Sequence, residues 1–343
     1  MSLNHAADNA STRHLRRVVV TGSAGFIGSH LARTLLETGV TVIGIDRRDQ
    51  NSDPAAAANL AELNSNPHFT PITVDLMDCP VEPLLPDADA VFHLAGMPGV
   101  RPSWGSEFDA YVSANIQAVQ RVMAAAVRLR VPRVVLASSS SVYGLTDGSP
   151  SAETDLPCPA SPYAVTKLAA EKLCLAHAAR SDSETSVVAL RYFTVYGPGQ
   201  RPDMFIHRVL AAAVYQAPVH VFGTGDQQRD FTYVGDVVRA TIAAATAPDG
   251  NVVINVGAGS SASIADVLTI AHQLTGRPVP VTTSSAHDGD VLGTLADTSR
   301  VHRLLGWKPE VELADGIERQ LRHLQALHDH TTARPTPRFE VRS

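Results

Sequence analysis

The chain has 343 residues, of which 44% are hydrophobic and 18% are charged, and its formal net charge is −6 at pH 7. This composition is typical of a globular protein with a sizeable core and excludes a largely disordered chain. No basic run or stripe is present, which argues against a broad phosphate-backbone binder and leaves anionic ligands to a few placed arginines. Cys79, Cys158 and Cys174 have neither disulfide nor metal-ligand spacing, and we expect them to be reduced.

The two ends of the chain differ in composition from its middle. Residues 1–14 are polar and rich in Ala and Asn, and residues 331–343 are rich in Pro, Thr and Arg, so both are predicted to be disordered tails. No stretch approaches the roughly 18 apolar residues that a membrane span needs. We therefore expect a cytoplasmic protein that binds neither membranes nor nucleic acids.

Short β-branched runs alternate with helical patterns through the first half of the chain. Residues 17–21 and 41–45 are predicted strands, and the apolar residues of 26–38 fall on one helical face that ends at Gly39. Further strands and helices are predicted at residues 90–94, 111–130, 133–137, 163–179 and 186–193. This alternation is typical of parallel βαβ units.

After residue 193 the pattern is less regular and is broken by several Pro and Gly residues. We predict an α/β fold in which residues 15–190 form a Rossmann-type doubly wound parallel sheet. Residues 191–330 are predicted to form mainly a smaller, mixed α/β substrate-binding lobe that is interwoven with the first domain.

A glycine-rich turn follows the first predicted strand directly. Gly22, Gly25 and Gly28 allow a tight turn and a close approach of the backbone to a diphosphate, whose charge the N–H groups of the helix start would stabilise. Asp46, at the end of the next strand, can accept hydrogen bonds from adenosine ribose hydroxyls. Its carboxylate would repel a 2′-phosphate, which favours NAD over NADP, although the two arginines that follow it keep NADP as an alternative.

Tyr163 and Lys167 lie four residues apart, on one face of a predicted helix. A free tyrosine has a pKa near 10, and a neighbouring lysine charge with a positive nicotinamide ring would lower that pKa and create a base. The serine-rich segment 138–144 ends another predicted strand, at the sheet edge where such folds bind ligands. Tyr-x-x-x-Lys also occurs as a simple exposed pair, so this context is what favours a catalytic role.

Several motifs occur in a fixed order along residues 16–328. They are Gly22-x-x-Gly25-x-x-Gly28, residues 93–96 (His-Leu-Ala-Gly), 138–144, Tyr163/Lys167, 191–198 (Arg-Tyr-Phe-Thr-Val-Tyr-Gly-Pro) and 229–236 (Arg-Asp-Phe-Thr-Tyr-Val-Gly-Asp). Together they resemble the extended short-chain dehydrogenase/reductases of the NAD-dependent epimerase/dehydratase family. The resemblance implies an NAD cofactor and a nucleotide-sugar substrate.

The resemblance also implies roles for individual residues. Ser139, four residues before Tyr143, matches the family's catalytic serine or threonine and would act with Tyr163 and Lys167. The cofactor would contact Phe26, Ile27, Asp75, Leu76, Leu94, Ala95 and Gly96 besides the residues above. The substrate would contact Val219, Phe222, Arg229 and Asp290, although each of these could instead be a core or surface residue.

The reaction is predicted from the residues that precede Tyr143. Family members that eliminate water carry Asp-Glu at the positions matched by Ser140 and Ser141, and similar UDP-glucuronate decarboxylases carry a glutamate at the Ser141 position. Both positions are serine here, so neither reaction has its usual acid. The simplest remaining course returns the hydride to the opposite face of a 4-keto sugar, which is epimerisation at C4.

The sugar is predicted from two further segments. Thr194, where the family pattern has asparagine, and Arg201 in Arg-Pro-Asp-Met resemble the UDP-glucuronate 4-epimerases, as do Pro98 and Arg101 in residues 98–104. The resemblance implies conversion of UDP-glucuronate to UDP-galacturonate.

Hydroxyls of Thr194, Ser140 and Ser141 could bind the sugar carboxylate, and Arg201 could add charge or brace the loop. A helix-capping threonine and a solvent-facing arginine are the structural alternative.

Other functions stay open. They are C4 epimerisation of UDP-glucose or UDP-N-acetylglucosamine, decarboxylation of UDP-glucuronate, and a non-catalytic NAD-sensing role, against which the joint presence of Tyr163, Lys167 and Ser139 counts. By resemblance, the helices at 111–130 and 163–179 are expected to pair across a homodimer, although alanine-rich faces also suit an internal contact.

Overall fold

The computed structural model describes residues 14–332 except residues 52, 224 and 285–292. The predicted tails at residues 1–14 and 331–343 therefore lie almost entirely outside the described residues, and so does Asp290. Helix bounds show that the last helix continues to Thr332.

The described strands are β1 Arg17–Thr21, β2 Thr41–Asp46, β3 Phe69–Thr73, β4 Ala90–His93, β5 Arg133–Ser139, β6 Ser186–Tyr192, β7 Thr194–Tyr196, β8 Val219–Phe222, β9 Gln228–Arg229, β10 Phe231–Tyr233, β11 Val252–Val256, β12 Ala262–Ser263 and β13 Val281–Ser284. The α-helices are α1 Phe26–Glu37, α2 Pro54–Leu60, α3 Phe108–Val112, α4 Ala118–Arg128, α5 Pro162–Ala178, α6 Phe205–Tyr215, α7 Val234–Thr246, α8 Ile264–Thr275, α9 Ser299–Leu305 and α10 Leu313–Thr332. One turn of π-helix, Ser113–Gln117, joins α3 to α4.

Seven strands form one parallel sheet in the order β11-β6-β5-β4-β1-β2-β3. The predicted Rossmann-type sheet is confirmed. The order reverses at β1, and the carboxyl ends on either side of that point form the crevice where such sheets bind ligands. The glycine turn after β1, Ser139 at the end of β5 and the loop after β4 all lie along this edge.

The sheet is buried on both faces, which explains the continuous apolar runs of its strands. Val18 and Val20 point into a cluster that includes residues of α1 and α7, whereas Val19 points into the opposite cluster with residues of α4 and α5. Side chains alternate along a strand, so three consecutive valines fill both layers.

The second half of the chain contributes to both parts of the molecule. β11 lies at the edge of the large sheet beside β6, and α7 packs against α1. A separate apolar cluster joins α6, α8 and α10 over the two-stranded pairs β7–β10 and β8–β13.

The sequence-based helix at residues 111–130 is not one regular α-helix. The π-turn at residues 113–117 interrupts it, and Asn115 lies fully buried at the centre of that turn. π-turns inside α-helices commonly occur at functional sites because they redirect one side chain.

Candidate active site

The glycine turn between β1 and α1 packs so closely against neighbouring backbone that its glycines cannot carry side chains. Gly22 has φ +75°, and a Cβ there would lie 2.8 Å from the Ala95 nitrogen. A Cβ on Gly28 would overlap the Gly22 carbonyl oxygen. The Gly25 N–H donates to that same oxygen at 2.9 Å and closes the turn. Such a cradle at a helix N-terminus fits a dinucleotide diphosphate.

Asp46 ends β2 next to this turn. Its carboxylate accepts the Ala24 N–H at 3.1 Å and is also bound by the Arg48 guanidinium. Asp75 follows β3 and lies 3.6 Å from Arg47. Leu76 is buried against the sheet, so its side chain has the character of a core residue.

The loop after β4 brings Leu94, Ala95 and Gly96 to the same edge. The Ala95 N–H donates to the Thr21 hydroxyl at 3.1 Å, which joins the loop to the end of β1. A Cβ on Gly96 would lie 4.0 Å from the Lys167 ammonium nitrogen. The loop predicted to line the cofactor and the predicted catalytic lysine are therefore adjacent.

Tyr163 and Lys167 lie in the first two turns of α5. The helix starts where it does because the Ser161 hydroxyl caps the Ala164 N–H and Pro162 occupies the first turn. The Ser139 hydroxyl, at the end of β5, lies close enough to the Tyr163 phenol to act on its pKa. Two elements that are distant in sequence thus bring the three predicted catalytic residues together.

The electrostatics of Tyr163 differ from the sequence-based expectation. Burial raises the pKa of the Tyr163 phenol, while the Ser139 hydroxyl and the charge of Arg201 act in the opposite direction. Burial also lowers the pKa of Lys167 to about 8. Sequence reasoning missed the dominant effect because the spacing of two residues on a helix does not reveal how deeply they are buried.

Asn115, to which sequence reasoning gave no role, connects three parts of the site. Its amide oxygen accepts the Met97 N–H at 2.7 Å, and its amide nitrogen donates to the Met97 carbonyl at 3.0 Å and to the Thr166 hydroxyl at 3.0 Å. Thr166 precedes Lys167 on α5. The π-turn thereby ties the loop after β4 to the catalytic helix, and only that backbone irregularity signals it.

Tyr111 is a second unpredicted residue of the site. Its fully buried ring meets the Tyr163 ring edge to face, with centroids 6.2 Å apart. Its hydroxyl donates to the carbonyls of Pro98 and Gly99, both at 2.9 Å. Pro98 therefore contributes a backbone contact to the site, and Arg101 begins the short turn that follows.

A buried ion pair lies behind Ser139. Arg191 on β6 binds Glu171 on α5 through two hydrogen bonds of 3.0 and 2.7 Å, and both side chains are almost fully buried. The Ser138 hydroxyl donates to Glu171 at 3.1 Å. Because β5, β6 and α5 meet in this network, the position of Ser139 relative to Tyr163 is fixed by three elements.

The serine-rich segment turns into a short 3-10 helix at residues 140–143. The Ser139 hydroxyl accepts the Ser141 N–H at 3.2 Å and lies 3.1 Å from the Ser141 hydroxyl. Ser140 and Ser141 are half-buried. This part of the site is therefore formed by hydroxyl groups, and the 3-10 turn at residues 140–143 carries no acidic side chain.

On the substrate side, Thr194 begins β7 and its N–H donates to the Asp230 carbonyl at 3.0 Å. Arg201 follows after the turn and is held by Asp203 through bonds of 2.9 and 2.7 Å. The Arg201 charge acts to lower the pKa of the Tyr163 phenol, so it is felt at the predicted catalytic residue. Arg201 is therefore a charged neighbour of the site as well as a loop brace.

The predicted nucleotide-binding residues have different surroundings. Val219 is buried in the apolar cluster of the lobe, so its side chain packs in the core. Phe222 ends the same strand, β8. Arg229 is half-buried on β9, where its guanidinium donates to the Gln228 carbonyl at 2.8 Å.

The part of the chain that the structure describes contains no helix of the length and apolarity needed to cross a membrane.

Comparison with known proteins identifies the family of this chain. The model of the NAD-dependent epimerase/dehydratase family matches residues 18–257. A Bacillus subtilis protein, described as an uncharacterised UDP-glucose epimerase YtcB, is 40% identical over 91% of this chain and 99% of its own length. The UDP-glucuronate 4-epimerase of Thermodesulfobacterium geofontis is 36% identical over 88% of this chain and 94% of its own.

Solved structures give the same result. MoeE5 in complex with UDP-glucuronic acid and NAD is 46% identical, with a TM-score of 0.84 over 91% of this chain and 99% of that chain. The UDP-glucuronic acid 4-epimerase of Bacillus cereus, in complex with UDP-glucuronic acid and NAD, is 39% identical, with a TM-score of 0.85 and the same coverage. The chain described here belongs to the NAD-dependent epimerase/dehydratase family.

Proposed function

We propose that this protein is an isomerase that inverts C4 of a UDP-sugar, and that its substrate is UDP-glucuronate, which it converts to UDP-galacturonate. The observation that carries the proposal is the meeting of Tyr163, Ser139 and Lys167 beside a glycine cradle, with serines instead of acids at positions 140 and 141. Relatives described as UDP-glucuronate 4-epimerases support the choice of sugar.

The glycine turn, Asp46 and the loop after β4 would hold NAD. Bound NAD supplies the acceptor for the C4 hydride and the donor that returns it. Gly22 and Gly28 would let the turn approach the diphosphate through its backbone, and Asp46 would accept hydrogen bonds from the adenosine ribose.

Tyr163 would take the proton of the sugar hydroxyl, and Ser139 would hydrogen-bond the same oxygen and position it. The pKa of Lys167, about 8, leaves its ammonium charged at pH 7, where it favours the phenolate form of Tyr163. Arg201 acts in the same direction. These two cations would reduce the cost of forming a phenolate without cancelling it, because burial has the largest effect on the pKa of Tyr163.

The sugar carboxylate would be held by hydroxyls. Ser140, Ser141 and Thr194 are half-buried polar groups near the site, and Arg201 supplies positive charge. Oxidation at C4 makes a β-keto acid, which loses carbon dioxide readily when its C–C bond aligns with the carbonyl π system. We infer that the hydroxyl cluster holds that bond near the carbonyl plane and so suppresses decarboxylation.

The direct experiment is incubation with UDP-glucuronate, without added reductant, and NMR analysis of the sugar. UDP-galacturonate is expected, and deuterium at C4 should stay with the molecule. Tyr163→Phe should lower turnover about 1000-fold while NAD binding persists. Unchanged turnover in this variant would overturn the mechanism. UDP-glucose and UDP-N-acetylglucosamine, assayed in parallel, test the alternative sugars, and carbon dioxide with UDP-xylose would indicate a decarboxylase.

The carboxylate role has its own test. Thr194→Val should weaken UDP-glucuronate binding or increase release of UDP-pentose, whereas Thr194→Ser, which keeps the hydroxyl, should do neither. If the valine variant behaves like the parent in both respects, Thr194 does not bind the carboxylate.

A homodimer through α4 and α5 is part of the proposal. Val165 on α5 is an exposed apolar residue, and so are Phe108 on α3 and Trp104 in the 3-10 turn before α3. Burying such side chains against a second copy would stabilise a dimer. Sedimentation of the parent and of Val165→Glu checks this expectation, since the charged variant should shift the population toward monomer.

A further inference from the structure

The carboxylate of Asp46 is already fully engaged by the protein. One oxygen accepts the Arg48 backbone N–H at 3.0 Å and the Arg48 Nε at 3.1 Å. The other accepts the Ala24 N–H at 3.1 Å and the Arg48 Nη2 at 3.0 Å. A carboxylate offers about four lone-pair positions, and these four donors occupy them. Three of the four donors belong to Arg48.

A ribose diol needs the same oxygens. The Asp46 side chain is only 8% exposed, so its buried side offers no further room for two hydroxyl donors. The Arg48 guanidinium also lies over the glycine turn, because a Cβ on Gly25 would come within 3.4 Å of its Nη2. The guanidinium and an adenosine ribose bound to Asp46 would therefore occupy overlapping positions.

A second carboxylate, that of Asp53, lies close to the Arg48 guanidinium. Asp53 Oδ2 lies 3.9 Å from Arg48 Nη1. Asp53 caps α2 by accepting the N–H groups of Ala55 and Ala56, which fixes its position. Arg48 is 36% exposed, so its side chain can rotate without disturbing the core.

We propose that Arg48 competes with the adenosine ribose for Asp46, so that binding of NAD moves the guanidinium from Asp46 toward Asp53. The same guanidinium is placed to bind a 2′-phosphate, which Asp46 alone would repel. Arg48 is thus a specificity-determining residue that weakens NAD binding and supports residual NADP binding. This inference rests on the proposed NAD site and is independent of the sugar.

The size of the effect follows from the population of the competing state. If the Arg48 guanidinium is bound to Asp46 in most molecules, the apparent affinity for NAD is reduced in proportion to the fraction of molecules in which Asp46 is free of Arg48. The ion pair is partly exposed, so it stabilises the Arg48–Asp46 contact only modestly, and we expect the affinity for NAD to change about three- to tenfold when the contact is removed. A 2′-phosphate would gain a charge-assisted contact from Arg48, and the effect on NADP therefore has the opposite sign.

The test is calorimetric titration of nucleotide-free protein with NAD and with NADP. Arg48→Gln should tighten NAD binding about three- to tenfold and weaken NADP binding at least as much. Arg47→Gln is the matched control, because it removes the same charge from the neighbouring position, which pairs with Asp75 instead of Asp46. Arg48→Lys keeps the charge but lacks the fork, and should lie between parent and Arg48→Gln.

Changes of the same sign for both nucleotides, or no change in Arg48→Gln relative to Arg47→Gln, would overturn the inference. Failure of the parent protein to bind NAD at all would instead refute the proposed function. Melting temperatures of the unliganded variants show whether any difference in affinity arises from unfolding.

Discussion

The cofactor side of the site and the loop on its substrate side are held in place by different kinds of contact. The glycine turn at residues 22–28 is closed by its own backbone, and Asp46 and the loop after β4 meet it because β2 and β4 are the direct neighbours of β1. The substrate loop, residues 197–204, has no such sheet neighbours. Remote side chains hold it instead.

Those side chains come from opposite ends of the chain. His30 on α1 lies 2.8 Å from the Pro198 carbonyl, in a contact that its Nε2–H can donate. Gln320 on α10 accepts the Gly197 N–H at 2.9 Å and donates to buried Gln200 at 2.8 Å. Substitutions on the cofactor side should therefore have local effects. The position of the substrate loop should instead depend on side chains of helices that do not contact the substrate.

The largest effect is expected from Gly28→Ala. The new methyl group would overlap the Gly22 carbonyl, so NAD affinity should fall at least about 1000-fold, or roughly 4 kcal/mol. Gly105→Ala is the control, since a Cβ there meets only the Pro102 oxygen at 3.7 Å. Calorimetry with NAD checks both variants. Normal NAD binding by Gly28→Ala would show that the turn relaxes easily, and would contradict the view that its backbone contacts hold the cofactor side in place.

Acid should destabilise the cofactor side through His93. This buried residue on β4 contacts the Thr21 hydroxyl at 2.8 Å, and burial and the Lys167 charge lower its pKa to about 3. The unfolded chain takes up the proton near pH 6.5 but the folded chain does not, so stability is lost as the pH falls below 6.5. Between pH 6.5 and 4 the resulting decrease in the free energy of unfolding is roughly 3 kcal/mol.

Urea unfolding of the parent and of His93→Asn across this pH range measures the effect. The variant should show a shallower dependence of the unfolding free energy on pH, whatever its stability at pH 7. Equal slopes would mean that His93 does not carry the proton linkage.

Remote support of the substrate loop is tested by Gln320→Ala. Loss of two buried hydrogen bonds should raise KM for the UDP-sugar about five- to tenfold, while the Kd for NAD stays unchanged. Gln325→Ala, at an exposed position of the same helix, should change neither constant. A parallel loss of NAD affinity would show that the two sides are not independent.

The smallest effect is expected from Arg201→Gln. Removing this positive charge should raise the pKa of Tyr163, so the acid limb of the kcat/KM profile should move to higher pH. Arg201→Lys keeps the charge and should leave the limb closer to that of the parent. A shift to lower pH would contradict the assigned direction.

The sequence alone predicted five of the seven strands of the large sheet (β1, β2, β4, β5 and β6), the glycine turn and the placement of Tyr163 and Lys167 on one helix, but it did not predict β3 or β11. It did not reach Asn115, whose role depends on one π-turn inside an otherwise helical pattern, nor Tyr111, whose hydroxyl binds carbonyls 12 and 13 residues away. It also left out the burial that raises the pKa of Tyr163. No local pattern encodes these features.

The amino-acid sequence was enough to predict features that depend on period and proximity: the alternation of strands and helices, the glycine-rich turn, and the i, i+4 spacing of Tyr163 and Lys167. The fold was needed to show which groups are buried together, such as Glu171 with Arg191, or Gln320 with Gln200 across 120 residues. The physical reason is that hydrogen bonds and pKa values depend on distance and burial in space. Residues far apart in sequence acquire that distance and burial only when the chain has folded.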